Sequence, residues 1–390
     1  MTDPRVPDRP TRIVLLGTHG QYNLGDELLL ATFLLQLGAQ HEYVVNTYDP
    51  VDTALRLDGT SRVELIDTAG DRLPLLRHLR RADAVVFAGG SILKELSAAT
   101  GRPRYATLLM ILAVVTATRW MGRAPIAMLN IGIGPIRTRR GRRLAALILR
   151  QVTLVTVRDA ASAQLSERIG VGRSVVSSTD AVFSVEPEWL RGAVAQPAVE
   201  NGALRIGLSL NHDIDTPETW EHVVETLALA VRELAAERSI EVHGLPMQSR
   251  GKAYDDATVL RDFAERIAPV PFIEHRPDAI AEVARIIEHC DLVVAERLHA
   301  IITSAKLGVP VIPLAYDVKV RQIASALELD DVSIDLGAPF TAAQVRETIT
   351  RVANDRRHAR AALERAVEPL TVRARAGFDL ARTWLAGVRA

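Results

Sequence analysis

Short β-branched runs separated by helix-length amphipathic stretches recur in both halves of this chain of 390 residues. That alternation calls for parallel strands joined by crossover helices, with a sheet covered on both faces. Strands are expected at Arg12 to Gly17, Tyr43 to Thr47, Ala84 to Ala88, Ile126 to Ile131, Leu154 to Val157 and Ser174 to Val176, with helices such as Asp26 to Leu37 and Tyr105 to Met121 between them. From Pro187 to Gly202 the pattern breaks into Pro, Gly, Ala and polar residues, which reads as a linker. The alternation then resumes. Helix Glu218 to Glu237, strand Ile240 to Gly244, helices Ala257 to Ile267 and Asp278 to His289, strand Leu292 to Ala295, helix His299 to Leu307 and strand Val309 to Leu314 follow strand Leu204 to Leu210. The expectation is an α/β protein of two doubly wound, Rossmann-like domains facing a cleft: residues 1–190, residues 203–370, and a C-terminal helix, 371–390, packing back on the first domain. No sequence repeat links the halves, so their likeness is architectural.

Composition supports two cores and narrows the partners. With 48% hydrophobic and 24% charged residues the chain is that of a globular protein. Lys plus Arg and Asp plus Glu are equal at 47 each, so no net field draws the molecule to nucleic acid, and an anion site must be local. The single cysteine, Cys290, excludes an intrachain disulfide and fits a reducing cytoplasm. Ten histidines without paired spacing, and no Asp-x-Asp element, give no reason to expect a metal site. Met1 to Arg12 lacks the apolar stretch of a signal peptide. The longest apolar run, Ala106 to Ala117, is shorter than the roughly 20 residues a membrane helix needs. The arginine-dense stretch Arg137, Arg139, Arg140, Arg142 and Arg143 and the basic tail from Arg346 onward read either as solvated faces or as contacts with the inner face of a membrane.

Chemistry concentrates where strands end. Ala295, Glu296, Arg297, Leu298, His299 and Ala300 sit where the apolar strand Leu292 to Val294 gives way to a helix. In open α/β sheets ligands gather outside the carboxyl ends of strands, and the next helix offers free N–H groups to phosphate. A fixed cation and a titratable imidazole two residues apart can there hold and protonate an anionic substrate, although an Arg cap and a packed His would look the same. After the first strand come Gly17, His19, Gly20, Tyr22, Asn23, Gly25, Asp26 and Glu27. The spacing of these glycines is not a dinucleotide fingerprint, and no Walker lysine follows. Asp26 and Glu27 can cap a helix as readily as they can act on substrate. Gly89, Gly90 and Ser91, then Gly132, Gly134 and Pro135, then Arg158 and Asp159 continue this rim, with Arg158 either a second phosphate clamp or a salt-bridge partner of Asp159.

These residues, in this order, resemble the polysaccharide pyruvyl transferase family. The resemblance runs from Asn23, Gly25, Asp26 and Glu27 through Gly89, Gly90, Gly132, Pro135, Arg158, Asp159, Ser162 and Asp180 to Arg297, Leu298, His299, Pro310, Tyr316 and Lys319. It implies a fold similar to the GT-B glycosyltransferases, phosphoenolpyruvate as donor, a sugar as acceptor, no cofactor, and a pyruvate ketal as product in cell-envelope polysaccharide synthesis. It also implies donor binding and catalysis by Arg297, Leu298 and His299. Ser91 stands where many members have a third Gly, and Asn211 where many have an Arg.

The chemistry assigns roles on the same residues. An enol ether becomes electrophilic at its central carbon once its methylene carbon is protonated, and His299 is the candidate acid. Arg297 would grip carboxylate or phosphate with its planar fork. Lys319 would neutralise departing phosphate, and Asp26 or Glu27 would take the proton of the sugar hydroxyl. Asn23, Gly25, Gly90 and Arg158 would line the substrate. A nucleotide-sugar glycosyltransferase is the competing expectation, since the same architecture suits a diphosphate donor, but no ribose-binding carboxylate stands at a suitable offset after His299. A non-catalytic sugar-binding protein would be expected to lose Arg297, His299, Asp26 and Lys319. The acceptor sugar, its linkage to lipid, nucleotide or polymer, and the oligomeric state are not legible.

Overall fold

The computed structural model describes residues 9–57, 62–97, 101–170, 175–192, 202–212, 217–250 and 254–388. It comprises two compact α/β units. The first contains β1 (Arg12–Leu16), α1 (Leu24–Leu37), β2 (Glu42–Thr47), α2 (Pro50–Arg56), β3 (Arg62–Asp67), α3 (Leu73–Arg81), β4 (Ala84–Ala88), α4 (Ala106–Met121), β5 (Ile126–Ile131), α5 (Arg139–Leu149), β6 (Leu154–Val157), α6 (Ala160–Ile169) and β7 (Val176–Ser177), except that Leu24 and Gly25 of α1 count with the second unit. Its seven parallel strands lie in the order β3-β2-β1-β4-β5-β6-β7. The chain leaves the middle of the sheet in one direction after β1 and in the other after β4, which is the doubly wound arrangement.

The second unit opens with α7 (Pro187–Arg191) and continues through β8 (Leu204–Ser209), α8 (Pro217–Glu237), β9 (Ile240–Gly244), α9 (Asp256–Ile267), β10 (Phe272–Glu274), α10 (Ile280–His289), β11 (Leu292–Ala295), α11 (Leu298–Lys306), β12 (Val311–Ala315), α12 (Val318–Ala326), β13 (Ile334–Asp335) and α13 (Ala342–Asn354). Its six parallel strands run β10-β9-β8-β11-β12-β13, so β8 and β11 flank its switch point. The last helix, α14 (Arg356–Gly387), carries Pro369 in its interior. Its residues from Arg373 onward count with the first unit, where Phe378 meets Phe33 edge-on at 5.2 Å.

The central strands β4 and β5 are apolar at every position but Asn130. All residues of β4 and β5 are buried, as a parallel sheet covered on both faces requires. The edge strand β3 differs, exposing Arg62, Glu64 and Asp67 while burying Ile66, and this charged alternation hid it in the sequence. Caps end the loops sharply. Asp159 accepts from Ser162 N at the start of α6, Thr138 from Gly141 N at α5, and Thr341 and Gln344 form a reciprocal capping box at α13.

Two expectations need correction. The expected linker begins at Pro187, yet Pro187–Arg191 is helical and belongs to the second unit, because Leu190 is fully buried and Arg191 pairs with Glu288 of α10 at 2.7 Å. Residues 193–201 of that linker, and Ser174 of the sixth expected strand, lie outside the described residues. The loop after β1 was placed wholly in the first domain, whereas Tyr22–Gly25 count with the second unit. No helix among the described residues is long and apolar enough to cross a membrane.

Candidate functional site

The carboxyl ends of β8 and β11 meet at the second unit's switch point. Ala295 lies opposite Ser209, and Glu296 N donates to Ser209 O at 2.8 Å. Glu296 is fully buried and its Oε2 accepts the main-chain N–H of Asn211 at 2.9 Å. Ser209 and Asn211 are also fully buried. Their side chains, a hydroxyl and an entire amide, have no hydrogen-bond partner among the described residues. Buried polar groups are ordinarily paired, so three such atoms beside a strand end mark a place suited to a polar ligand.

Arg297 occupies the N-cap of α11 with extended backbone (φ −74°, ψ 123°) and, lacking an acceptor, caps nothing itself. Its fork faces Asp256 instead. Nε donates to Asp256 Oδ2 at 2.9 Å, Nη2 donates to Oδ1, and Nη2 also reaches Gln248 Oε1 at 3.3 Å. Asp256 is 1% exposed, and its Oδ2 also accepts Met247 N and Gln248 N, both at 3.1 Å. The guanidinium is thus held in a fixed plane by a carboxylate that is itself anchored. Neither Asp256 nor Gln248 was expected at the site. One signal was present: Asp255 already caps α9 through Thr258 N, leaving its neighbour Asp256 without a capping duty.

His299 is the second residue of the same helix, and its ring lies against Gly25 of the Asn23–Gly25 segment. Leu24 N donates to Met247 O at 2.8 Å, Asn23 and Gln248 form an antiparallel bridge, and Asn23 Oδ1 accepts Gly25 N at 3.0 Å. A Cβ placed on Gly25 would collide with His299 Nδ1 and stand 2.8 Å from its Cγ, so a glycine is needed for this approach. Asn23 therefore serves as a helix cap, and Gly25 serves as the floor beneath the imidazole. Leu298 is half-buried beside them. Lys319, in the first turn of α12, pairs with the N-cap Asp317 at 3.1 Å.

The first unit gathers the remaining candidates at its own switch point. Gly17 exchanges two hydrogen bonds with the Asn46 amide. Gly20, at φ +72°, donates its N–H to Glu27 Oε1 at 2.7 Å. Burial raises the Glu27 carboxyl to about 7; the Gly20 N–H and Arg56 oppose the rise, and Asp52 and Asp26 reinforce it. Burial likewise lowers the His19 imidazole to about 4, partly offset by the Asp26 main chain. Asp26 itself is half-buried at the start of α1.

After β4, Gly89 and Gly90 adopt φ +64° and +72°. Arg158 does not stand open as a clamp: its Nη2 donates to Ser91 Oγ at 2.8 Å, and Asp180 and Asp159 lie at 3.4 and 3.7 Å. Ser91, which departs from the common glycine, is thus an acceptor for Arg158. Asp26, Glu27, Gly90 and Arg158 belong to the first unit, and Asn23, Gly25, Arg297, Leu298, His299 and Lys319 to the second.

A family model described as polysaccharide pyruvyl transferase matches residues 23–318, from the Asn23 cap to the first residue of α12. The chain belongs to the polysaccharide pyruvyl transferase family. As a member of that family it is an enzyme, a pyruvyl transferase. Solved structures similar to this pyruvyl transferase are GT-B glycosyltransferases and epimerases. An Anabaena protein in complex with UDP and glucose matches with a TM-score of 0.61 at 12% identity, covering 97% of this chain and 100% of that one. A Rickettsia africae glycosyltransferase matches with a TM-score of 0.61 at 13% identity, covering 97% and 98%. The Neisseria meningitidis UDP-GlcNAc 2-epimerase bound to UDP-GlcNAc gives 0.56 at 13%, covering 91% and 94%. At such identity the likeness is one of fold.

Proposed function

We propose that this pyruvyl transferase takes phosphoenolpyruvate as donor and closes the pyruvyl group into a ketal across two hydroxyls of a sugar acceptor. The observation that carries this reading is the arrangement at the β8 and β11 ends. Arg297, fixed by Asp256, and His299, seated on Gly25, flank a buried hydroxyl and amide that have no hydrogen-bond partner among the described residues. His299 protonates the methylene carbon, which makes the central carbon electrophilic. A first sugar hydroxyl adds there, phosphate leaves with its bridging oxygen, and the second hydroxyl closes the ketal. One hydroxyl proton replaces that given by His299, and the other is carried off with phosphate. Arg297, Leu298 and the N-terminal turn of α11 hold the donor's anionic groups. Asn23, Gly25 and Lys319 are further substrate contacts in this reading, and from the first unit Asp26 is assigned as the base for the acceptor hydroxyl, with Glu27, Gly90 and Arg158 as acceptor-side contacts. No cofactor enters the reaction.

His299→Ala is expected to abolish phosphate release from phosphoenolpyruvate while leaving the fold intact; wild-type turnover in that variant would remove His299 from the mechanism. A thermal-shift comparison tests the donor: phosphoenolpyruvate should stabilise the protein, and stabilisation by nucleotide sugars alone would replace it with a glycosyltransferase reading.

The acceptor we favour is lipid-linked and met at the inner face of a membrane. Supporting this, α4 and α5 expose Leu109, Met110, Trp120, Met121 and Leu147 among Arg119, Arg139, Arg140 and Arg143, a basic and apolar mixture suited to anionic headgroups. Cosedimentation with anionic but not neutral vesicles, weakened by Trp120→Ala, is the expected result; no cosedimentation with either would leave a soluble acceptor.

A further inference from the structure

The second unit contains a group of side chains that the pyruvyl transfer does not use. Glu241 and His243 stand two residues apart on β9 and so share one face of the sheet, and His289 is the last residue of α10. One ligand atom from each lies within 4.8 Å of those of the other two. His243 Nε2 is 2.7 Å from Glu241 Oε1, and the His243 ring meets that of His289 edge-on at 5.1 Å. A third imidazole, His275, stacks on His243 and contacts its Nδ1 at 2.9 Å. His289 precedes β11 and Arg297 follows it, so this group lies at the opposite end of that strand from the catalytic arginine.

We propose that Glu241, His243 and His289 form a binding site for a late first-row divalent cation, with zinc the best match to its donor set. Two imidazoles and one carboxylate are the ligands zinc takes when a fourth position stays open. On a tetrahedral zinc neighbouring donor atoms stand about 3.3 Å apart, so a small rotation of the half-buried Glu241 and His289 side chains toward the buried His243 closes the three atoms on one ion. His275 provides the outer contact such sites require, a partner for the ring nitrogen of His243 that faces away from the ion. The nearby cation Arg205 is paired with Asp291 at 3.4 Å, which reduces its repulsion of a metal. A bound ion would tie the end of α10 to β9. Sequence spacing gave no warning, because 46 positions separate His243 from His289 and the sheet alone brings them together.

The test is a cobalt titration of the full-length protein after removal of metals by chelation. The wild type should take up one equivalent with the visible absorption of a four- or five-coordinate nitrogen and oxygen site, and zinc should displace it. His289→Ala should abolish those bands, Glu241→Gln should weaken binding at least about 10-fold, and His275→Ala should weaken it about 10-fold to 100-fold, all with unchanged circular dichroism. A wild type without bands, or bands that persist unchanged in His289→Ala and Glu241→Gln, would overturn the site and leave a hydrogen-bonded imidazole stack. Neither result bears on pyruvyl transfer.

Discussion

Gly25 lies against the imidazole of His299 so closely that no methyl group fits between them. Within a helix, Ala is ordinarily preferred to Gly by about 1 kcal/mol. Here the contact reverses the sign: Gly25→Ala is expected to displace His299, destabilise the protein by about 1–3 kcal/mol, and lower kcat for phosphate release more than it raises KM. Steady-state kinetics with a thermal melt will show both. Equal or greater stability with normal kcat would mean that the imidazole has room to move.

Asp256 holds Arg297 with two hydrogen bonds and is itself 1% exposed. Removing one member of a buried ion pair leaves the other uncompensated, so Asp256→Ala should cost about 3 kcal/mol in urea unfolding. Arg297→Lys should also lose activity, because an ammonium cannot keep two contacts in one plane.

The loop after β1 sets two opposed pH dependences. Glu27 titrates near 7 in the fold against 4.5 unperturbed, so between those values the native state keeps a proton that the unfolded chain has released, and stability falls as pH rises. His19 titrates near 4 against 6.5, so between those values stability falls as pH drops. Each slope approaches about 1.4 kcal/mol per pH unit, and from pH 4.5 to 6.5 they largely cancel. Glu27→Gln keeps the bond from Gly20 and removes one of them. Its thermal midpoint should exceed that of wild type at pH 8, converge with it near pH 4.5, and expose the His19 slope. Midpoints running parallel across that range would show that Glu27 does not titrate there.

Asn211 tests whether the β8 end serves a ligand or only the fold. A buried amide without partners contributes little to the free protein, so Asn211→Leu should be neutral or stabilising in a melt without ligand. In phosphoenolpyruvate the same variant should lose most of the wild-type thermal shift. A full shift in Asn211→Leu would place the donor elsewhere.

The sequence was most legible where local physics and fold agreed. The strands β4, β5, β6, β9 and β11 match their expected limits: β4 and β11 are apolar throughout, and β5, β6 and β9 are dominated by apolar and β-branched residues. β3 and β10 were missed since edge strands bury one face at most and carry charge on the other. Arg297 and His299 stood out in the sequence because they directly follow an apolar strand, where a cap and a ligand-binding pair look alike. Asp256 and Gln248 were not, because their link to Arg297 spans 41 and 49 positions and exists only once β9 and α9 deliver them. Arg158 was readable as a cation but not as one already engaged, which depends on Ser91 and Asp180 arriving from other strands.

The end of α14 carries a consequence for synthesis. Ala374, Phe378 and Ala381 are fully buried, and they count with a unit whose other residues end at Ser184. A ribosome finishes the whole second unit before it makes them. The first unit must therefore wait, with the surface around Phe33 uncovered, until α14 emerges. A fragment stopped after Ser184 would keep every strand of its sheet and still expose an apolar strip meant for residues made only after the second unit.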